Sequence, residues 1–129
     1  GRKFIQYKNH MLDLQELEKM PIIYLDGATS TRNYMDSFLS RNGVHVQPEF
    51  QLATSDMIVQ FALRNLGVGC VMRDFAKEYL EDGRLFELRF NRIIPKRHFC
   101  VVTNPKIPPS AAARNLLKLM EKETGGNIM

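Results

Sequence analysis

The sequence, 129 residues long, predicts an α/β fold whose sheet is mostly parallel and covered on both faces. Three observations predict it. Short apolar runs alternate with amphipathic helix patterns, the order that builds βα units. Most of the helix patterns open on a Ser, Thr or Asp suited to cap a helix N-terminus. The run "PIIYL" is apolar throughout, as a strand buried on both faces must be.

Taken in order, "RKFIQY" at residues 2–7 alternates apolar and polar side chains and reads as a strand. "LDLQEL" carries a helix start, with Asp13 as N-cap, Glu16 three residues on, and Leu12 and Leu17 spaced for a hydrophobic staple. Pro21 closes that helix early. Residues 21–25 form the buried strand, which stops at Asp26 and Gly27. Thr29, Ser30 and Thr31 offer caps to a helix with Tyr34, Met35, Phe38 and Leu39 inward, ending near Asn42 and Gly43. "VHVQPEFQLA" reads as a strand, and Pro48, which cannot donate to a ladder, makes it an edge or bulged one.

Between a cap at Thr54 or Ser55 and the end at Gly67, the residues Met57, Ile58, Phe61, Ala62 and Leu66 recur at helical spacing. Residues 68–72 follow as a strand and 74–80 as a helix with Phe75, Ala76, Tyr79 and Leu80 inward. Residues 84–90 read as a strand, and "HFCVVTN" at 98–104 as another. "PKIPPS" is a rigid turn, after which Ser110 caps a last helix carrying Ala113, Leu116, Leu117 and Met120. The ending "ETGGNIM" is expected to fray.

Composition narrows the class. With 44% hydrophobic and 25% charged residues the chain is a globular protein of single-domain size. A chain of this length buries roughly two-thirds of the surface it exposes when unfolded. The net charge of +4 comes from basic residues scattered from Arg2 to Lys118, with no basic arm, which argues against these residues gripping duplex DNA and leaves small anions as ligands. Cys70 and Cys100 both lie in apolar runs and are expected as buried, reduced thiols, which fits a cytoplasmic protein. No CxxC or Cys/His spacing predicts a metal, and no cofactor is expected. No apolar stretch approaches the roughly 18 residues of a membrane span, and no signal core opens the chain.

In open parallel sheets, ligands collect beyond the carboxyl ends of strands, at the N-termini of the helices that follow. Two hydroxyl-rich loops occupy such points. The loop "GATSTR" at 27–32 joins free helix N–H groups to the hydroxyls of Thr29, Ser30 and Thr31, a set able to hold a carboxylate or phosphate. The loop "ATSD" at 53–56 repeats the pattern with Thr54 and Ser55, although Asp56 opposes an anion unless it turns to its own helix. Either loop could equally be a cap and nothing more. Gly67 and Gly69 follow a helix instead of opening one and so make no phosphate loop; Gly67 reads as a C-cap and Gly69 as a close-packing position. Arg32 and Arg73 each stand just past a strand, placed to clamp a carboxylate or to pair with a local Asp or Glu. No nucleophile elbow, HExxH or paired carboxylates are present, so no catalytic residue is expected.

These loops and their flanks carry a resemblance. Over about residues 13–120 the chain resembles the C-terminal part of the effector-binding domain of LysR-type transcriptional regulators. The resemblance rests on the short helix with Leu14 and Leu17 before "PIIYL", on the Ser/Thr loop and helix, on "ATSDMIVQFALRNLGVGCVMRDFA" at 53–76, and on "LEDGRL" at 80–85. It implies a periplasmic-binding-protein-like lobe in three layers about a central mixed, mostly parallel sheet, part of an incomplete two-lobe domain. Residues 14–90 would be the second regulatory lobe, 2–7 and 98–104 the crossover strands, and 110–122 a helix belonging to the missing first lobe.

The same resemblance places Thr29, Ser30 and Thr31 beside the cleft and matches Thr54 and Ser55 to an effector-contacting position. It puts residues 71–73 on the cleft floor, ending at Arg73. It implies a non-enzymatic ligand-sensing module of a DNA-binding regulator that takes a small-molecule effector, and the hydroxyl-rich loops and arginines point to a small organic anion. Promoter DNA would be bound by a helix-turn-helix part absent from this chain, and a homo-oligomer is expected. A lobe of a solute-binding transport protein is the alternative, and a small-molecule enzyme of similar fold a more distant one.

Overall fold

The computed structural model describes residues 2–98 and 100–125, which fall into two compact units, Gly1–Ile94 and Pro95–Met129. In the first unit the strands are β1 (Met11–Leu12), β2 (Ile22–Leu25), β3 (Pro48–Leu52), β4 (Val68–Gly69) and β5 (Arg89–Phe90). Its helices are α1 (Ser30–Arg41), α2 (Ser55–Leu63) and α3 (Arg73–Glu81). The second unit holds α4 (Ala111–Thr124).

All four residues of β2 are buried, and β2 is the centre of a three-stranded sheet in the order β3-β2-β4. Every pair in it is parallel, with Leu25 opposite Leu52 and Ile23 opposite both Phe50 and Gly69. Because strand side chains alternate, β2 feeds two cores. Ile22 and Tyr24 pack with Met35, Phe38 and Leu39 of α1, while Ile23 and Leu25 pack with Ile58 of α2. The sheet is therefore covered on both faces, as the apolar run predicts.

Pro48 opens β3 at the edge of the sheet, where its missing N–H costs no ladder bond, and the register shifts between Ile22 and Ile23 opposite it. Phe50 of β3 meets Phe61 of α2 edge-on, with ring centroids 5.2 Å apart. Gly69 admits α2 close to β4, since a Cβ there would collide with Ile58. Gly67 is not the helix C-cap that the sequence suggests. Helix α2 ends at Arg64, Asn65 takes the left-handed conformation (φ 61°), and Gly67 lies against the carbonyl of Pro21.

Several expectations are corrected. Residues 2–7 form a kinked 3-10 segment, not a strand. Phe4 is buried and Tyr7 packs on the core, while Ile5 is 58% exposed; a spacing of three suits a 3-10 turn and not an alternating strand. Leu14–Lys19, expected as a short helix, is also 3-10, with Asp13 accepting from Gln15 N as its cap at 2.9 Å. The strand pattern at 84–90 narrows to β5, which pairs in parallel with β1, an element the sequence pattern did not reveal. Two-residue strands are too short for periodicity to register. The strand expected at 68–72 likewise narrows to β4.

In the second unit, no strand forms among the described residues of 98–104, and Phe99 lies outside them. Val102 is 89% exposed, and an apolar run becomes a strand only where a neighbouring strand takes up its backbone groups. Cys100 is exposed instead of buried, for the same reason. Helix α4 begins as expected, with Ser110 Oγ accepting from Ala113 N, and Gly125 closes it in the left-handed conformation. It buries none of its residues, and Leu116 and Leu119 are both exposed. The last part of the expected frayed end, residues 126–129, lies outside the described residues.

Candidate functional site

The parallel strands β2, β3 and β4 end in the same direction, and each leads to a helix N-terminus. The first two ends are tied together beyond the strands by Asp26 N donating to Leu52 O at 2.8 Å. This brings the loops at 27–31 and 53–55 side by side at one edge of the sheet. Residues 70–72 lead from the end of β4 to α3, so all three helix starts follow parallel strand ends.

Thr29 Oγ1 accepts from Arg32 N at 3.1 Å and donates to Asp26 O at 3.4 Å, so this hydroxyl works as a cap in both directions. Thr54 Oγ1 accepts from Met57 N at 3.3 Å, and among the described residues its own proton has no acceptor. That hydroxyl can donate outward. Ser30 and Thr31 open α1, and each has a partner of its own. Ser55 opens α2 half-buried, with exposed Asp56 after it. Helix α3 begins at Arg73 with Met72 at the cap position and, among the described residues, no side-chain cap. The Arg73 guanidinium pairs with Glu87 Oε1 and is 69% exposed.

Arg32 has a different role from the carboxylate clamp that its position allows. Its Nη1 donates to Leu25 O at 2.9 Å and to Gln51 Oε1 at 3.1 Å, and its Nε donates to Asp36 Oδ2 at 2.8 Å. Its guanidinium carbon stands 4.4 Å from the centre of the Tyr24 ring, and its side chain is 15% exposed. The pairing with a local Asp is the one realised. An Arg and an Asp four residues apart on a helix are a pair visible in sequence, whereas Gln51 carries no sequence signal.

A cavity of about 350 Å³ runs along β4, lined by Tyr24, Met35, Phe38, Cys70, Leu88 and Phe90 among others. Arg73 reaches it, but Thr29, Ser30, Thr31, Thr54 and Ser55 do not, so the hydroxyl loops form an open edge and not the wall of this cavity. Burial pushes the Cys70 thiol up to about 11, which disfavours the reactive thiolate. The Tyr24 hydroxyl is buried without a hydrogen-bond partner among the described residues. Burial raises its pKa well above the usual phenol range, with Asp36 and Cys70 adding and Arg32 opposing. Among the described residues no three His, Cys, Asp or Glu side chains gather as a metal site, and no helix is long and apolar enough to cross a membrane.

The family model described as LysR substrate binding domain matches residues 7–125. The chain belongs to the LysR substrate-binding domain family. That family is periplasmic-binding-protein-like, and the parallel β3-β2-β4 sheet with helices on both faces agrees with part of one lobe of such a domain. The chain is also similar to a protein from Cyanophora paradoxa described as "Probable RuBisCO transcriptional regulator", with 28% identity over 110 residues. That match covers 83% of the chain and 34% of the relative, so this LysR-family chain spans about a third of the relative's length.

Proposed function

We propose that this LysR-family chain is the effector-sensing part of a transcriptional regulator, and that it holds a small organic anion at the carboxyl edge of the β3-β2-β4 sheet. The observation that carries this reading is the delivery of three helix N-termini to one edge by parallel strands, two of them behind threonine caps and the third opening at Arg73. Helix N-termini favour negative charge. Thr54 Oγ1 donates its spare proton to the ligand, Arg73 exchanges Glu87 for the ligand carboxylate, and Thr29, Ser30, Thr31 and Ser55 complete the edge. The chain binds and does not catalyse.

A ligand biases a regulator only through different affinities for its states, so the effector acts by changing how this lobe sits against other parts of a homo-oligomeric protein in the cytoplasm. Promoter DNA is contacted by a separate helix-turn-helix part. The similarity to a protein named as a transcriptional regulator supports this assignment.

The test is an NMR titration of the chain with small mono- and dicarboxylates beside neutral compounds of equal size. Shifts are expected at the amides of residues 27–31, 53–56 and 73–75 with carboxylates only. Arg73→Ala should weaken binding about tenfold, as loss of a charge-assisted contact does. Thr54→Ser should retain binding where Thr54→Ala loses it. Equal binding of neutral compounds, or shifts confined to the cavity along β4, would overturn the reading.

A further inference from the structure

We infer that Arg32 is a positioning residue that makes the two hydroxyl loops a single rigid surface, an inference that rests on the effector site proposed above. The two loops belong to different βα units, and each cap bond is local to its own helix. Beyond the ladder, Asp26 N to Leu52 O joins them through backbone alone. Arg32 adds the side-chain link. From α1 it reaches the last carbonyl of β2, at Leu25, and the side chain of Gln51, one residue before the end of β3. Its own backbone N–H is the one that Thr29 Oγ1 caps. One residue therefore contacts the first cap, the end of β2 and the end of β3.

The chemistry suits a brace better than a receptor. Asp36 neutralises the guanidinium and the Tyr24 ring covers one face, so the group has little left to offer an anion. A planar fork can serve several acceptors in fixed directions, which a lysine ammonium on a flexible stem cannot reproduce. With the side chain so little exposed, the fork cannot swing outward without abandoning its acceptors. Displacing one loop then moves the other, and a ligand that orders either loop orders both.

The experiment is amide hydrogen exchange by NMR on the ligand-free chain, comparing wild type with Arg32→Met, Arg32→Lys and Gln51→Ala. The amides followed are those of Asp26 and Thr29 in the first loop and Met57 at the second cap, each with a defined acceptor, with Ile23 as the core reference. Arg32→Met is expected to speed exchange at Met57, which Arg32 does not touch, as well as at Asp26 and Thr29, by about tenfold. Ile23 should stay unchanged, and Arg32→Lys should give only partial rescue. Gln51→Ala should speed Asp26 and Thr29 from the other side.

Faster exchange confined to Asp26 and Thr29 in Arg32→Met would overturn the inference, and so would a uniform rise that includes Ile23 in both Arg32→Met and Gln51→Ala. If Arg32→Met fails to fold, Gln51→Ala decides: unchanged exchange in the first loop overturns the brace. A citrate titration of wild type reads the effector site separately. Absent citrate shifts with coupled exchange would remove the anion site and keep the brace, whereas citrate shifts with uncoupled exchange would do the reverse.

Discussion

The side chain of Ile58 fills the space in front of Gly69 that any Cβ at that position would need. Helix α2 thus lies close against β4 because residue 69 has no side chain. Gly69→Ala forces either α2 or β4 to shift, an overpacking expected to cost about 1–3 kcal/mol in urea unfolding. Ile58→Ala alone should cost about 2–5 kcal/mol through its cavity. The double variant should cost clearly less than the sum of the two, because each change relieves the other; strict additivity would mean that the two positions do not compete for space.

The cap hydroxyls of Thr29 and Thr54 each satisfy one helix N–H. Thr29→Ala and Thr54→Ala should each lower stability by about 1 kcal/mol, with serine at either position close to neutral. A thermal melt of the four variants checks this. Equal losses for alanine and serine would place the threonine contribution in packing instead of capping.

The two thiols should separate by reactivity. Exposed Cys100 should react with a thiol reagent at neutral pH, while half-buried Cys70, held to about 11, should react much more slowly. In the folded chain the thiol holds its proton more tightly than the ordinary 9.0, so the unfolded state gives up that proton first as pH rises. The stability tied to Cys70 is complete below about pH 9 and is lost between about 9 and about 11, a fall of about 2–3 kcal/mol. Tyr24 ionises in the unfolded chain only nearer its ordinary value of 10.0, so Cys70→Ala should flatten the early part of this fall. An unchanged curve would mean that the thiol does not titrate with unfolding.

Arg73 and Glu87 form an exposed pair, and such pairs contribute little. Arg73→Ala should therefore change stability by no more than about 0.5 kcal/mol while weakening carboxylate binding. A large drop in melting temperature would assign Arg73 to the fold instead of to the ligand edge.

Local chemistry was legible in the sequence, and pairing between distant segments was not. The caps at Asp13, Thr29, Thr54 and Ser110 and the buried run of β2 were each marked by neighbouring residues, and all form as expected. Pro48 marked an edge strand for a reason contained in the residue itself. By contrast, Met11 pairs with Arg89, and neither sequence nor spacing announces that meeting. The pattern in "RKFIQY" reads as a strand, yet burial of Phe4 and packing of Tyr7, three residues apart, go with a 3-10 segment instead. At the candidate site, the threonines were visible as a polar cluster. The inward turn of Arg32 depends on Gln51, which joins it only when β3 lies beside β2.

The central position of β2 has a consequence during synthesis. A chain leaves the ribosome from its N-terminus, so Ile22–Leu25 emerges before either strand that flanks it. Until Pro48–Leu52 and then Val68–Gly69 follow, the most apolar strand of the sheet has both edges unpaired, a state prone to aggregate. The nascent protein is thus most vulnerable in the interval before residue 69 appears, and a pause in translation there would leave its future centre uncovered.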